Sequence, residues 1–307
     1  MRCGTEVPPH RNECRNARQP GGGLLKNDMI LVKTVGDLGN LMFQYSFGYI
    51  VARRLKTSFC LNNLRELAFF ELDGDTPAAN LLRKARFKAG CLWRRPAVKN
   101  WMAFNDAAYA APKTVLSDLA DHAIYRGYFQ SSDYHEGYAE EVKKLFKVQA
   151  NFRQKFEQRC KSFLEGPPLG VLHLRGKWHG DWERISLPWS YYENCLQRVK
   201  DRENYRWLVI TDDVPNAQQR LPAKHPMEIV SGEVIDDFQL MSHARIHIMA
   251  NSTFSWWAAY LNPSPAARIM APNYWYGHRP EYQWEAPAGI MYPGWEWVPT
   301  GKDNGEN

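Results

Sequence analysis

The chain has 307 residues, with 39 Lys and Arg against 33 Asp and Glu, a net charge of +6, and 44% hydrophobic residues. This length suits one large domain or two of ordinary size, and the composition excludes a disordered chain and a fibre. No stretch approaches the roughly 18 uncharged apolar residues of a membrane span, and the charge is too small for a nucleic-acid-binding surface.

Residues 1–27 are predicted to form a flexible leader. They hold five basic and two acidic residues, a net charge of +3, and no apolar segment typical of a secretory signal. We interpret the leader as solvated, with loose attraction to phosphate as the alternative. The six cysteines are scattered without a C-x-x-C pair, which favours reduced thiols. The protein is therefore expected in the cytoplasm or peripheral to the cytoplasmic membrane face.

The part of the chain after the leader is typical of an α/β domain. Residues 29–35 and 57–61 are predicted strands, and apolar residues from Leu41 to Leu55 recur at helical spacing. Residues 65–112 show no steady period. The predicted elements that follow are a strand at 123–129 and helices at 138–146 and 152–163.

A Gly-Pro-Pro sequence at residues 166–168 predicts the domain boundary, because it breaks helices and favours an extended linker. We therefore expect an N-terminal domain over residues 28–166 and a C-terminal domain over 167–307. In the second domain strands alternate with helices, which predicts a parallel sheet covered on both faces. The predicted strands are 169–174, 207–211, 227–230, 245–249 and 268–270, and the predicted helices are 188–199, 216–221, 235–242 and 252–261.

Ligands of such sheets bind beyond the carboxyl ends of the strands. After the first strand, Gly36 and Gly39 permit a sharp turn and a close approach to a ligand, and Asn40 precedes the helix. A helix N-terminus at this place favours an anion or a sugar hydroxyl. The alternative is an ordinary turn from strand to helix.

The strand at residues 169–174 contains His173 and is followed by Arg175 and Lys177. A guanidinium there could bind phosphate through two parallel hydrogen bonds. Asp181 and Glu183 follow in a loop rich in aromatic and basic residues, which suggests a site. The alternative is a salt-bridged surface loop.

The strand at residues 245–249 leads into the sequence ANSTFSWW at residues 250–257. Asn251 or Ser252 would cap the next helix, whose free N–H groups could hold a phosphate. A plain N-cap followed by buried tryptophans explains the sequence equally well. Asp212 and Asp213, after the strand at residues 207–211, either cap a helix or bind a base or ribose.

Taken together, these segments resemble the α-1,2-fucosyltransferase family, glycosyltransferase family 11. Residues 36–46, GDLGNLMFQYS, are similar to its G-x-L-G-N-Q-M-F-Q-Y-A signature. Residues 237–242 and 250–261, DFQLMS and ANSTFSWWAAYL, are similar to its D-x-x-L-M-S and A-N-S-S-F-S-W-W-x-A-x-L signatures. The segments GYFQS at 127–131 and TDD at 211–213 lie between them in the expected order.

The resemblance implies a GT-B-like fold, in which two Rossmann-like parallel-sheet domains face a cleft. It implies inverting transfer of fucose from GDP-fucose to the 2-hydroxyl of a terminal β-galactoside, in an oligosaccharide or a glycolipid, without a metal or a cofactor. The leaving diphosphate then needs an Arg and helix N-terminal amides, and the acceptor hydroxyl needs a general base. The predicted catalytic residues are Arg175, Asp181 and Glu183. The predicted GDP-fucose-binding residues are Gly39, Asn40, His173, Arg175, Lys177, Asp212, Asp213, Asn251, Ser252, Thr253, Phe254 and Ser255.

One signature departs from the family pattern. The family's nucleotide-binding strand ends H-x-R-R-G-D-Y, whereas this chain has Gly176 in place of the second Arg and Lys177 after it. Two alternatives therefore stand beside the active transferase: a catalytically impaired GDP-sugar- or glycan-binding protein, and a transferase for another GDP-sugar. Four tryptophans near the C-terminus, at positions 275, 284, 295 and 297, could stack on sugars, but packing against the body is the favoured interpretation.

Overall fold

The computed structural model describes residues 29–101, 112–176, 186–221, 227–273, 275 and 289–300. Within them the chain forms two parallel β-sheets, which confirms the predicted pair of parallel-sheet α/β domains. The first sheet has the order β2-β1-β4-β3 and consists of β1 (Met29–Lys33), β2 (Ser58–Leu61), β3 (Ala97–Trp101) and β4 (Ala123–Gly127). The second has the order β10-β9-β8-β5-β6-β7 and consists of β5 (Leu169–Leu174), β6 (Arg206–Thr211), β7 (Glu228–Val230), β8 (Ile246–Ile248), β9 (Arg268–Pro272) and β10 (Glu296–Val298).

Helices connect the strands and cover both sheets. They are α1 (Leu38–Leu55), α2 (Pro77–Trp93), α3 (Pro112–Ser117), α4 (Ala139–Leu145), α5 (Ala150–Arg159), α6 (Lys161–Leu164), α7 (Trp189–Gln197), α8 (Val214–Arg220), α9 (Val234–Ser242) and α10 (Thr253–Tyr260). In the part of the chain that the structure describes, no helix is long and apolar enough to cross a membrane.

Helix α1 is enclosed by the rest of the protein, with thirteen of its eighteen residues buried. It lies on β1 and β2 and also contacts α10. The ring of Phe43 lies 4.7 Å from that of Trp256 and 4.9 Å from that of Trp257, measured between centroids. A helix that is apolar on all sides requires such a position, because any side left in water would expose apolar surface.

The main hydrophobic core is shared by the two halves of the molecule. One continuous cluster contains side chains from both sheets and from α1, α9 and α10. Ile30 and Val32 of β1 belong to this cluster, whereas Met29 and Leu31 point to a small cluster under α2. Helices α1 and α2 therefore cover opposite faces of the first sheet. A further cluster lies on the other face of the second sheet, beneath α7.

The observed elements differ from the predicted ones at several places. Helix α1 begins at Leu38 because the extended residue Asp37 occupies its N-cap. The region without a period contains α2 and β3, and the predicted helix at 152–163 is divided at Cys160 into α5 and α6. Strand β10 was not predicted. The boundary at Gly166 stays a prediction.

Candidate active site

Three strand ends of the second sheet lie side by side. Strand β5 pairs with β6 on one side and with β8 on the other. From β5 the chain adds β6 and β7 in one direction, and β8, β9 and β10 in the other. In parallel α/β sheets a ligand crevice opens where the winding direction reverses, beyond the carboxyl ends of the strands. The predicted groups at residues 173–176, 211–213 and 250–255 therefore meet at one place, which we call the mouth.

Arg175 joins the mouth to the start of α1. Its Nη2 lies 3.4 Å from Oδ2 of Asp37, the residue before α1, and that carboxylate is largely exposed. Ion pairs in contact with water contribute little to stability. A more strongly charged ligand, such as a diphosphate, can therefore compete with Asp37 for the guanidinium.

Gly176 fits closely against the end of β6. Its N–H donates a hydrogen bond to Oδ1 of Asp212 at 2.7 Å. A Cβ at this position would lie 2.3 Å from the Cβ of Asp213, closer than nonbonded atoms approach. Asp213 cannot easily move, because its Oδ1 accepts a hydrogen bond from the N–H of Asn216 and caps α8. The residue that departs from the family signature is thus matched to its neighbours.

Two buried histidines lie behind the mouth, on the side of the second sheet that faces α10. Burial, and then the charge of Arg175, lower the pKa of His173 to about 3. Burial, and then His173, lower the pKa of His247 to about 3. His247 Nε2 lies 2.9 Å from Oγ of Ser255, whereas Nδ1 of His173 has no hydrogen-bond partner among the described residues. Both imidazoles are therefore neutral near pH 7, and Ser255 contacts His247 within the core.

The amino end of α10 completes the mouth. Ser252 occupies the N-cap position, as predicted, but its side chain does not cap the helix. Its Oγ is buried and has no hydrogen-bond partner within the described part of the chain, and Asn251 beside it is buried too. The first N–H groups of a helix lack partners within the helix and carry partial positive charge. This end of α10 is therefore suited to an anion.

Helices α1 and α10 meet closely at the base of the mouth. A Cβ on Gly39 would lie 2.4 Å from the backbone N of Phe254, so only glycine permits this approach. Oδ1 of Asn40 accepts hydrogen bonds from Oγ1 of Thr253 at 3.2 Å and from Nε2 of Gln130 at 2.7 Å. The signature after β1 therefore joins the start of α1 to α10 and to the segment after β4.

Comparison with known proteins assigns the family. The sequence profile of Glycosyl transferase family 11 matches residues 16–297. The chain belongs to glycosyltransferase family 11. It is 24% identical over 286 residues to the O-antigen biosynthesis glycosyltransferase WbnK of Escherichia coli, covering 78% of this chain and 93% of that protein. It is 23% identical over 274 residues to an α-1,2-colitosyltransferase of Escherichia coli, covering 81% of this chain and 92% of the relative.

The solved structures place this family 11 chain among GT-B proteins. An α-1,6-fucosyltransferase, NodZ of Bradyrhizobium, solved after soaking with GDP-fucose, superposes with a TM-score of 0.51. The sequence identity is 14%, and the alignment covers 80% of this chain and 94% of NodZ. With the two parallel sheets, this likeness confirms the predicted GT-B fold.

The family 11 signature holds one contributor to the site that the sequence did not reveal. Gln44, on α1, is fully buried, and its Oε1 accepts a hydrogen bond from the N–H of Val35 at 3.0 Å. Its Nε2 donates to the carbonyl oxygens of Val35 at 3.1 Å and Gly127 at 3.2 Å. Gln44 thus fixes the ends of β1 and β4 together. The single amide in the largely apolar run from Leu41 to Ala52 was the available signal.

Several predicted site residues lie outside the described residues. They are Lys177, Asp181 and Glu183, in the segment 177–185. Their roles as a phosphate ligand and as candidate general bases stay predictions. The described part of the site therefore contains neither of the carboxylates predicted from the sequence as general bases.

Three of the C-terminal tryptophans pack against the body, as favoured. Trp275 is buried, and the ring of Trp295 lies 5.5 Å from that of Trp256. Nε1 of Trp297 donates a hydrogen bond to the carbonyl of Tyr292. Trp284 lies outside the described residues. These contacts show that the three tryptophans are packing residues.

Proposed function

We propose that this family 11 glycosyltransferase is an inverting fucosyltransferase that uses GDP-fucose. The acceptor is the 2-hydroxyl of a terminal β-galactoside, in an oligosaccharide or a glycolipid, and no metal or cofactor takes part. The observation that carries the proposal is the convergence at the mouth of Arg175, the amino end of α10, and polar atoms of His173 and Ser252 that have no hydrogen-bond partner among the described residues. Guanidinium groups and helix N-termini are groups that bind a diphosphate.

The chemistry follows from these groups. The acceptor oxygen attacks C1 of fucose on the face opposite to the diphosphate, the bond from C1 to the phosphate oxygen breaks, and the electron pair leaves with GDP. Arg175 and the N–H groups of α10 stabilise the negative charge that develops on the diphosphate. The hydroxyl proton passes to a carboxylate, for which Asp181 and Glu183 are the candidates from the sequence.

The geometry adds one candidate for the general base and argues against His173 in that role. Asp37 is a carboxylate that the structure places beside Arg175, at the side of the mouth formed by α1. His173 is a poor general base, because burial holds its pKa at about 3. Its neutral ring is instead suited to a hydrogen bond with the bound donor.

The transfer experiment tests the reaction directly. Purified protein is incubated with GDP-fucose and N-acetyllactosamine, and the products are identified by mass spectrometry and by NMR of the new linkage. We expect fucose on the 2-hydroxyl of galactose and one GDP released for each transfer. Absence of transfer to a broad panel of β-galactosides by folded protein would refute the proposal.

Substitution of Arg175 tests the diphosphate site. Charge-assisted hydrogen bonds of this kind contribute about 1.5–3 kcal/mol, so Arg175→Ala is expected to weaken GDP binding about 10- to 100-fold in calorimetry. Arg175→Lys keeps the charge but loses the forked geometry of the guanidinium. Its affinity for GDP should lie between those of the unmodified protein and Arg175→Ala. Lys155→Ala, on the exposed side of α5, is the control and should leave the affinity for GDP unchanged. Unchanged GDP affinity in Arg175→Ala would contradict the assignment.

A second candidate donor is favoured by one relative. The chain resembles an α-1,2-colitosyltransferase over 81% of its length, and colitose differs from fucose by the loss of one hydroxyl group. Competition between GDP-fucose and GDP-colitose for the same acceptor decides between them. A higher kcat/KM with GDP-colitose would identify GDP-colitose as the donor and would leave the proposed type of transfer unchanged.

A further inference from the structure

Helix α2 packs on the rest of the described chain through one side. Only Asn80 and Phe87 are buried among its seventeen residues, and seven positions separate them, which places them on the same side. The side-chain amide of Asn80 exchanges hydrogen bonds with the backbone N–H and C=O of Leu61, at 2.8 Å and 2.9 Å. Phe87 packs in the small cluster with Met29 and Cys60.

The opposite side of α2 is an exposed apolar stripe. Trp93 is 91% exposed and Leu92 is 83% exposed. The members of the stripe are Ala78, Leu81, Leu82, Ala85, Ala89, Leu92 and Trp93, all exposed. Steps of three and four residues give a stripe about 120° wide and about 22 Å long. Five of the nine strongly exposed large apolar residues in the described ranges lie between residues 81 and 98. The stripe is therefore a continuous surface rather than scattered apolar residues.

The same segment is strongly basic. Residues 76–105 contain seven Lys and Arg and no Asp or Glu, a net charge of +7, which exceeds the +6 of the entire chain. Helix geometry places Arg86 and Lys88 on either side of the stripe, and Arg94 and Arg95 follow its end. All four are exposed, and none forms a salt bridge with another described residue. Positive charge thus borders the apolar surface.

We propose that this face of α2 docks on the surface of an anionic phospholipid bilayer. An apolar stripe flanked by Lys and Arg, with a tryptophan at its end, is the pattern of a helix that lies in the plane of a membrane interface. The positive charge of this face favours an anionic surface over the other possible occupants. The leader at residues 1–27 has a net charge of +3, and a second copy would bring two basic faces together, so both would be repelled.

The position of α2 is compatible with activity at a membrane. Helix α2 covers the face of the first sheet opposite α1, so a bilayer against it leaves the α1 side uncovered. Docking in this way does not depend on which sugar is transferred. The inference therefore stands apart from the proposed reaction, and its failure would leave that reaction untouched.

Vesicle flotation tests the inference with the full chain. We expect the protein to float with vesicles of phosphatidylglycerol and phosphatidylcholine, to stay behind with pure phosphatidylcholine, and to bind more weakly as salt is raised. The double variant Arg94→Gln/Arg95→Gln should bind roughly 25-fold more weakly, about fivefold for each charge removed. Leu92→Ser/Trp93→Ser should bind at least about tenfold more weakly.

Matched variants elsewhere on the surface serve as controls. Lys155→Gln/Lys161→Gln removes the same charge from α5 and α6, and Val234→Ser/Met291→Ser removes exposed apolar groups from other places. Both should bind vesicles like the unmodified protein, and all variants should keep its unfolding midpoint, since the changed residues are exposed. Binding lost equally in the controls, or no flotation of the unmodified protein at low salt, would overturn the proposal.

Other occupants of the stripe give distinct results. Binding that survives the changes in α2 but disappears on removal of residues 1–27 would assign the membrane contact to the leader. A dimer in solution that dissociates in Leu92→Ser/Trp93→Ser, without vesicle binding, would assign the stripe to a second copy. Either result overturns the docking of α2 on a bilayer.

Discussion

Helices α1 and α2 lie on opposite faces of the same four-stranded sheet and differ strongly in how far the rest of the chain buries them. Thirteen of eighteen residues of α1 are buried, against two of seventeen in α2. The second half of the molecule supplies the cover for α1, through Trp256 and Trp257. No comparable contact covers the outer side of α2 within the described residues. Apolar surface on α1 therefore serves folding, whereas apolar surface on α2 is available for a partner.

The largest expected effect comes from exchanging one aromatic residue in each helix. Phe43→Ala removes a fully buried ring between α1 and α10, which should lower the free energy of unfolding by about 3–5 kcal/mol. Trp93→Ala removes a larger ring, yet should change it by less than about 0.5 kcal/mol, because that ring is 91% exposed. Urea unfolding followed by circular dichroism measures both.

The same measurement can also contradict the contrast between the two helices. Comparable losses in the two variants would mean that the chain itself covers the outer side of α2. The contrast between the helices would then disappear, and with it the basis for a membrane-facing surface.

Acid should lower the free energy of unfolding, because three buried histidines lie around the contact between α1 and α10. His135, near Ser46 of α1, has its pKa lowered to about 3 by burial, as have His173 and His247 near α10. The unfolded chain takes up protons below about pH 6.5 and the folded chain does not, so stability is lost progressively as the pH falls from about 6.5 towards 3. We expect a loss of roughly 1 kcal/mol for each histidine between pH 7 and 5.5.

Urea unfolding at a series of pH values gives the slope. The variant His135→Phe removes one titrating group and should make the loss of stability between pH 7 and 5.5 smaller by roughly 1 kcal/mol, whatever its effect on stability at pH 7. An unchanged slope would show that His135 does not titrate on unfolding as proposed.

A smaller effect is expected from replacing the buried amide side chain of each helix, Gln44 in α1 and Asn80 in α2. Gln44→Leu leaves backbone groups of Val35 and Gly127 without partners, and Asn80→Leu does the same to Leu61. Each should cost about 2 kcal/mol of stability. Only Gln44→Leu should also lower kcat/KM for transfer, because Gln44 fixes the strand ends beside the mouth. Equal loss of activity in both variants would contradict that role.

The same contrast explains which helices the sequence could predict. Apolar residues of α1 recur along a single pattern, so its core was predicted and only its first turn was missed. In α2 the buried Phe87 and the exposed stripe lie on opposite sides, with basic residues between, so the pattern has two apolar faces and no single period. Strand β10 has only three residues, and no described helix lies between β9 and β10, so neither a period nor the alternation of strands with helices marks it.

The site was predictable in position but not in its connections. Parallel sheet topology was enough to bring the ends of β5, β6 and β8 together, as the structure confirms. The bond between Asn40 and Thr253 joins residues more than two hundred positions apart, and only the packing of the two halves creates it. The low pKa of His173 likewise depends on burial that no local pattern reveals.

The shared core also has a consequence for synthesis in the cell. Helix α1 leaves the ribosome long before residues 253–260, which supply the tryptophans that cover Phe43. During that interval one apolar side of α1 faces water, and such surfaces promote association between nascent chains. We expect the yield of soluble protein to fall when translation of this interval is slowed, and to recover when a chaperone that holds apolar segments is supplied.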